Sequence, residues 1–361
     1  MLAPLYLTKE TYGGLEFYKK IIELGAAILT FGLPTLILSY PKSQESKSYF
    51  TLISLLFISA IGIVALPFLY VFHYAFLLIP IYFYSIYFNN GIVAPFILTY
   101  KGSNSASMYK AIISLVFYSI VIASIFYTDE PELSFVYVNY LVLPVLLLYT
   151  TVYVYKQNII ASKLKRYWSL FRRLLLSSLT IVVSNFANMT FLYTDILIIK
   201  LLSQHADVDI ADYSFSLNVA NALILIPLTL VQVDIEKLKK NMAYATVLRK
   251  RILLATIGLA VCLLLVFLIL THFYFQDYRL IFNVFLVILG AKIFQAISVS
   301  YGAQIIIKKM FKQNLAINLS ALSFNIILSY VLYSYFGLMG IAIASAISLV
   351  LRYVLLVRIN R

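Results

Sequence analysis

Long apolar runs broken by short polar and basic segments fill the chain from residue 21 to its end. A helix rises about 1.5 Å per residue, so roughly 20 apolar residues cross the ~30 Å hydrocarbon layer of a bilayer. Runs of this length lie at 21–40, 50–72, 75–99, 110–127, 135–155, 175–198, 213–233, 252–272, 280–306, 314–335 and 338–357, predicting eleven transmembrane helices. The run 75–99 is interrupted by Asn89, Asn90 and Gly91, with Pro95 after them. It predicts either one broken helix or a helix plus an interfacial piece, because backbone breaks survive in a membrane only against protein or water. The expected fold class is all-α, a polytopic membrane protein.

Composition supports that reading. Of the 361 residues, 63% are hydrophobic and 12% charged, and the mean hydropathy is +0.94. Soluble domains carry about 25% charged residues. A soluble fold of this composition would need a core larger than its surface could cover, whereas lipid accepts apolar side chains that face outward. The net charge of +14 does not point to nucleic acid, because the basic residues sit in short clusters between apolar runs. The single cysteine, Cys262, lies inside an apolar run and reads as a small hydrophobe.

Charge also predicts orientation. The segments 41–49, 100–110, 156–174, 234–251, 307–313 and 358–361 alternate along the chain and hold 21 of the 28 lysines and arginines. The positive-inside bias places them, and the C-terminus, in the cytoplasm. Eleven spans then put Met1 outside, yet residues 1–20 lack the features of a signal peptide. The stub Met1 to Leu7 reads as the end of an earlier helix, so an upstream span is expected; the alternative is an eleven-span chain that inserts this way unaided. The longest basic stretch, 156–174, separates an N-terminal lobe at 1–155 of about five spans from a C-terminal lobe at 175–361 of six. With the upstream span restored the plan is six plus six, a two-repeat arrangement common in transporters. The same stretch is either an ordinary linker or an amphipathic surface helix in which Trp168 and Leu170 anchor the apolar side and the basic residues meet anionic lipid.

Polar residues inside the spans are the candidate site. Lys292 falls near the middle of 280–306, where inserting a lysine costs on the order of 3 kcal/mol, and Gln295 lies on a neighbouring part of its face. Lys292 reads as a contact for an anionic substrate, or as a salt-bridged or snorkelling lysine. Asp195 shares an arc with Asn185 and Asn188, and Glu23 one with Thr30 and Pro34. Either acid could bind a coupling cation or proton, or pair with a base. Asn314, Asn318, Asn325 and Ser329 fall within roughly 60° of one another around their helix. Such a stripe suits sugar hydroxyls, since an amide both donates and accepts, and equally suits hydrogen bonding between helices. Ser345, Ser348 and Arg352 share a face of the last helix, where Gly340, Ala342 and Ala344 permit close packing. Arg352 is near enough to the helix end to snorkel. There is no HExxH, no phosphate-binding GxxxxGK[ST] and no CxxC, and His73, His205 and His272 are far apart, so neither catalysis nor a metal site is expected.

Three segments carry a resemblance. Leu2-Ala-Pro-Leu-Tyr-Leu-Thr-Lys-Glu-Thr-Tyr-Gly13 looks like a first helix end followed by a Tyr-Gly turn. Thr194-Asp-Ile-Leu-Ile-Ile-Lys200, followed by Tyr213-Ser214, looks like the start of a second lobe. Lys312 to Asn318, Asn325 and Phe336-Gly-Leu-Met-Gly-Ile-Ala-Ile-Ala344 look like a closing helix pair. In these the chain resembles the bacterial polysaccharide flippases, the O-antigen and capsule repeat-unit translocases within the multidrug and oligosaccharidyl-lipid exporter (MATE-like) superfamily.

The resemblance implies two six-helix lobes, here with the first helix largely missing, in the bacterial cytoplasmic membrane. It implies alternating-access movement of an undecaprenyl-pyrophosphate-linked oligosaccharide, with no cofactor beyond a proton or sodium gradient. Lys292 and Arg352 would meet phosphate or other anionic groups, and Gln295, Asn314, Asn318 and Asn325 the glycan. Asp195 or Glu23 would take a coupling ion. Its expected partners are the lipid-linked oligosaccharide, membrane lipids, a polysaccharide polymerase and a chain-length regulator, and no nucleic acid. Two alternatives stay open: a drug or cation antiporter of the same superfamily, and a membrane polysaccharide polymerase or acyltransferase.

Overall fold

The computed structural model describes residues 3–34, 37, 43–88, 91–155, 161–177 and 179–360. Thus the end of the predicted span 21–40, the residues Asn89 and Asn90, and the first five residues of the stretch 156–174 lie outside the described residues. So does the side chain of Asn185. Among the described residues the chain is all-helical. The principal helices are α1 (Lys9–Thr30), α2 (Gln44–Val71), α3 (Leu78–Ile86), α4 (Val93–Lys101), α5 (Ser103–Tyr127), α6 (Ser134–Tyr155), α7 (Ala161–Ser177), α8 (Leu179–Leu202), α9 (Ala206–Lys240), α10 (Tyr244–Phe273), α11 (Phe282–Ile307), α12 (Phe311–Phe336) and α13 (Leu338–Asn360).

Eight helical stretches among the described residues are long and apolar enough to cross a membrane, and the chain is a multi-pass membrane protein. They fall on the predicted spans 50–72, 110–127, 135–155, 213–233, 252–272, 280–306, 314–335 and 338–357. From Leu179 the span 175–198 falls on α8, its first three residues belonging to the end of α7. The span 75–99 is a broken helix: a 3-10 turn at Ala75–Leu77 leads into α3, and the chain resumes as α4. The described residues on either side of the break, Tyr87, Phe88, Gly91 and Ile92, are buried in protein, as hydrocarbon requires. Ile92 N–H donates back to Ser85 O at 3.3 Å, and Gly91 N–H to Phe88 O at 2.7 Å. A Cβ on Gly91 would lie 2.6 Å from Ile86 O, so glycine is what lets the backbone approach that closely there.

The chain divides into two compact units. One holds residues 18–186. Its centre is an aromatic cluster in which Phe83, Tyr84 and Phe88 of the broken segment pack on Phe117 of α5, which in turn meets Phe135 of α6. Here α7 lies against α2: Tyr167 stacks on Tyr49, and Phe171 packs edge-on to Phe50 and Phe57. The stretch expected as either linker or surface helix is thus helical from Ala161 onward.

The other unit holds the residues up to Phe17 and those from Ala187 onward. Here α9 and α13 both pack on α11, and α12 and α13 form an antiparallel hairpin. On α10 the buried positions Ala245, Leu248, Ile252, Thr256, Ala260, Leu263, Phe267 and Thr271 recur every three or four residues, one face of a helix. Leu254, Val261 and Leu265, on the remaining surface, are exposed. Large exposed aliphatic side chains on every long span are what a lipid solvent permits and water would penalise.

One expectation is corrected. Tyr12 and Gly13 do not form a turn; both lie inside α1, and a Cβ on Gly13 would sit 1.7 Å from the Asp207 carbonyl oxygen of α9. The glycine serves close helix contact rather than a change of direction.

Candidate functional site

The site begins with one acid. Asp195 on α8 is buried, and its carboxylate is surrounded by side chains of three other helices. Tyr213 Oη of α9 donates to Asp195 Oδ2. Asn325 Nδ2 of α12 donates to Oδ1 at 3.1 Å. Ser345 Oγ of α13 lies 2.8 Å from Oδ1 and 2.6 Å from Oδ2. Ser345 Oγ is also 3.3 Å from Asn325 Oδ1, which ties the two donors to each other. A buried carboxylate is tolerated only when its lone pairs are met, and here the partners converge from separate elements.

Beside the acid, Lys292 of α11 is 6% exposed and donates through Nζ to Gln295 Oε1 at 3.0 Å. Asp195 and Lys292 line one cavity of about 20 Å³, with Phe191, Tyr213, Ala291 and Ser345. That volume holds roughly one water molecule. A carboxyl group and an amine therefore share one small cavity whose other walls are largely apolar, among them Leu217, Ile288 and Leu349.

The polar groups continue along the α12–α13 hairpin. Arg352 Nε donates to Asn318 Oδ1 at 3.1 Å. Asn318 and Asn325 are seven residues apart on α12, and Arg352 and Ser345 seven apart on α13. Seven residues return nearly to one helix face, so in an antiparallel pair the two contacts fall on one seam, about 10 Å apart. Asn318, Asn325 and Ser329 on α12 and Ser345 and Ser348 on α13 are all buried along it. The hydroxyls of Ser329 and Ser348 have no hydrogen-bond partner among the described residues. The seam is close-packed because Gly340 lets α13 approach α12: a Cβ there would lie 2.2 Å from Leu332 O.

Of the residues singled out from sequence, Asp195, Lys292, Gln295 and Asn325 gather around or beside the cavity, and Asn318 and Arg352 pair further along the seam. Asn314 is half-buried, one turn before Asn318. Glu23 belongs to the other compact unit, where it pairs with Lys20 at 3.4 Å. Among the described residues, Tyr213, Asn325 and Ser345 reach Asp195 from other helices, α9, α12 and α13. Sequence reasoning missed Tyr213, one of 30 tyrosines. It also missed a second buried acid, Glu16, which accepts from Asn218 Nδ2 at 3.2 Å; the same amide donates to Tyr12 Oη. No spacing rule separates these residues from ordinary interfacial tyrosines and loop acids.

Beyond the span of α9, Asp234 accepts from Lys237 Nζ at 2.8 Å and from Tyr244 Oη at 2.9 Å. The Lys237 hydrogen bond, then that of Tyr244, holds its carboxyl below the usual aspartate range. Lys237 is raised in turn, chiefly by the same hydrogen bond. Among the described residues no group of three or more histidine, cysteine, aspartate or glutamate side chains is placed to hold a metal ion.

No protein-family model, curated protein or solved structure matches the chain.

Proposed function

We propose that this chain is a membrane transporter working by alternating access, with two MATE-like lobes and a lipid-linked anionic oligosaccharide as cargo, in the bacterial cytoplasmic membrane. The observation that carries the reading is the facing of Asp195 and Lys292 across one cavity inside the membrane helices. Ionisable groups at that depth are costly, and they are retained where they serve a solute or ion path. In this reading Lys292 meets a phosphate, Asn325 and Asn318 meet glycan hydroxyls, and Arg352 meets a second anionic group. The resemblance to polysaccharide flippases supplies the cargo, an undecaprenyl-pyrophosphate-linked repeat unit.

A second reading has its own support. A 20 Å³ cavity is far too small for a sugar, and a carboxylate with a hydroxyl on either side suits a proton or a bare cation. A drug or cation antiporter would use Asp195 directly, whereas a flippase would need this space to widen in another state.

The two separate in reconstituted vesicles. Fluorescent undecaprenyl-pyrophosphate-oligosaccharide placed in one leaflet should reach the other faster with the chain than in protein-free vesicles. An unchanged rate, together with exchange of a cationic dye for protons, would replace the first reading with the second.

A further inference from the structure

The helix α7, packed against α2, is not used by the site, and its exposed surface is strongly basic. Its seventeen residues carry five basic side chains, Lys163, Lys165, Arg166, Arg172 and Arg173, and no acid. An ion pair to Glu45 at 2.6 Å engages Lys163. The other four are exposed. The buried side of the helix is set by Phe171, which is 1% exposed against α2. Measured from Phe171 at 100° per residue, Trp168 stands about 60° round the helix. It stacks on Phe171 with an interplanar angle of 21° yet remains 45% exposed, so one part of the indole is packed and the rest is not. On the same flank, slightly further round, lie Lys165 and Arg172. They are three residues before and four after Trp168, the two spacings that bring side chains together on a helix.

We propose that the strip Lys165, Trp168 and Arg172 seats α7 on the headgroup layer of anionic phospholipids, with the indole at the headgroup boundary and the two cations on lipid phosphates. An aromatic ring with one apolar edge and a polar N–H is stable at that depth. Basic side chains beside it concentrate anionic lipid. The absence of acids on the helix gives complementarity to a negative surface and to nothing positive. The helix thereby fixes the position of α2, through Tyr167 and Phe171, relative to the membrane plane.

Trp168 is the only tryptophan in the chain, so intrinsic fluorescence reports on this strip alone. The full chain would be placed in phosphatidylcholine nanodiscs containing the same mole fraction of a lipid brominated high on its acyl chains, either phosphatidylglycerol or phosphatidylcholine. Brominated phosphatidylglycerol should quench the indole at least about fivefold more strongly, the ratio that corresponds to about 1 kcal/mol from one basic residue near an anionic surface. The excess should vanish in K165Q/R172Q and survive in K165R/R172K, which keeps the charges and controls for folding. Equal quenching by the two lipids in the unaltered chain, or none by either, would overturn the proposal. So would an excess that persists in K165Q/R172Q, since the remaining basic residues would then account for it.

Discussion

At the scale of single residues, the chain concentrates its costly groups where neighbouring helices can satisfy them. Asp195 alone would be among the most unfavourable side chains in the bundle; with Tyr213, Asn325 and Ser345 donating to it, it becomes the point at which four helices meet. Replacing it with alanine leaves three buried donors without their acceptor and should destabilise the protein by about 3 kcal/mol. Asparagine, which keeps one carbonyl oxygen, should cost less. Thermal unfolding in detergent orders the unaltered chain, D195N and D195A in that sequence, and equal midpoints would show that the contacts carry no stability. Asp234 gives a prediction with pH. Its carboxyl is depressed in the folded state, so its contribution is present above the ordinary aspartate value of about 3.9 and is lost as pH falls through the lower folded value. Protection of the Asn241–Ala243 amides, taken as exchange relative to the unstructured-peptide rate at each pH, should therefore hold down to about pH 4 and fall only below it. In D234N that acid-dependent step should be missing.

At the scale of elements, hydropathy made the long helices legible because burial in lipid leaves so direct a mark on composition. The broken segment was also legible, since Asn89, Asn90 and Gly91 interrupt an apolar run. Pairing between helices was not. Asn318 with Asn325, and Ser345 with Arg352, stand out as stripes on their own helices, but nothing local says that the two stripes meet in one register. That register depends on the short connection at Gly337, whose φ is +55°, and on the close approach at Gly340. Gly13 shows a different failure: the family resemblance implied a turn there, and only the backbone of Asp207 across from it explains the glycine. Alanine at Gly340 should force α12 and α13 apart at a cost of about 1–3 kcal/mol, the usual range for overpacking. A lowered unfolding midpoint checks this, and the Asn318–Arg352 contact should weaken with it, so that removing Asn318 costs less in G340A than in the unaltered chain. Additive effects would argue against a shared seam.

For the molecule as a whole, two compact units are built from helices whose long spans expose apolar side chains, with buried polar groups inside each unit. In the unit that ends the chain, those polar groups are ordered: acid and lysine at one cavity, then amide, hydroxyl and arginine along one helix seam. A bundle that needed only stability would do as well with leucine at most of these positions, because buried ion pairs rarely exceed well-packed apolar residues in stability. In the proposed function the arrangement serves a solute that carries charge. Lys292 decides this most directly. Its replacement by glutamine keeps a polar chain beside Gln295 and removes only the charge. With vesicles carrying equal amounts of folded protein, translocation of fluorescent undecaprenyl-pyrophosphate-oligosaccharide should fall at least about tenfold in K292Q, which corresponds to losing about 1.4 kcal/mol of interaction with the anionic cargo. Translocation at the unaltered rate would contradict the account.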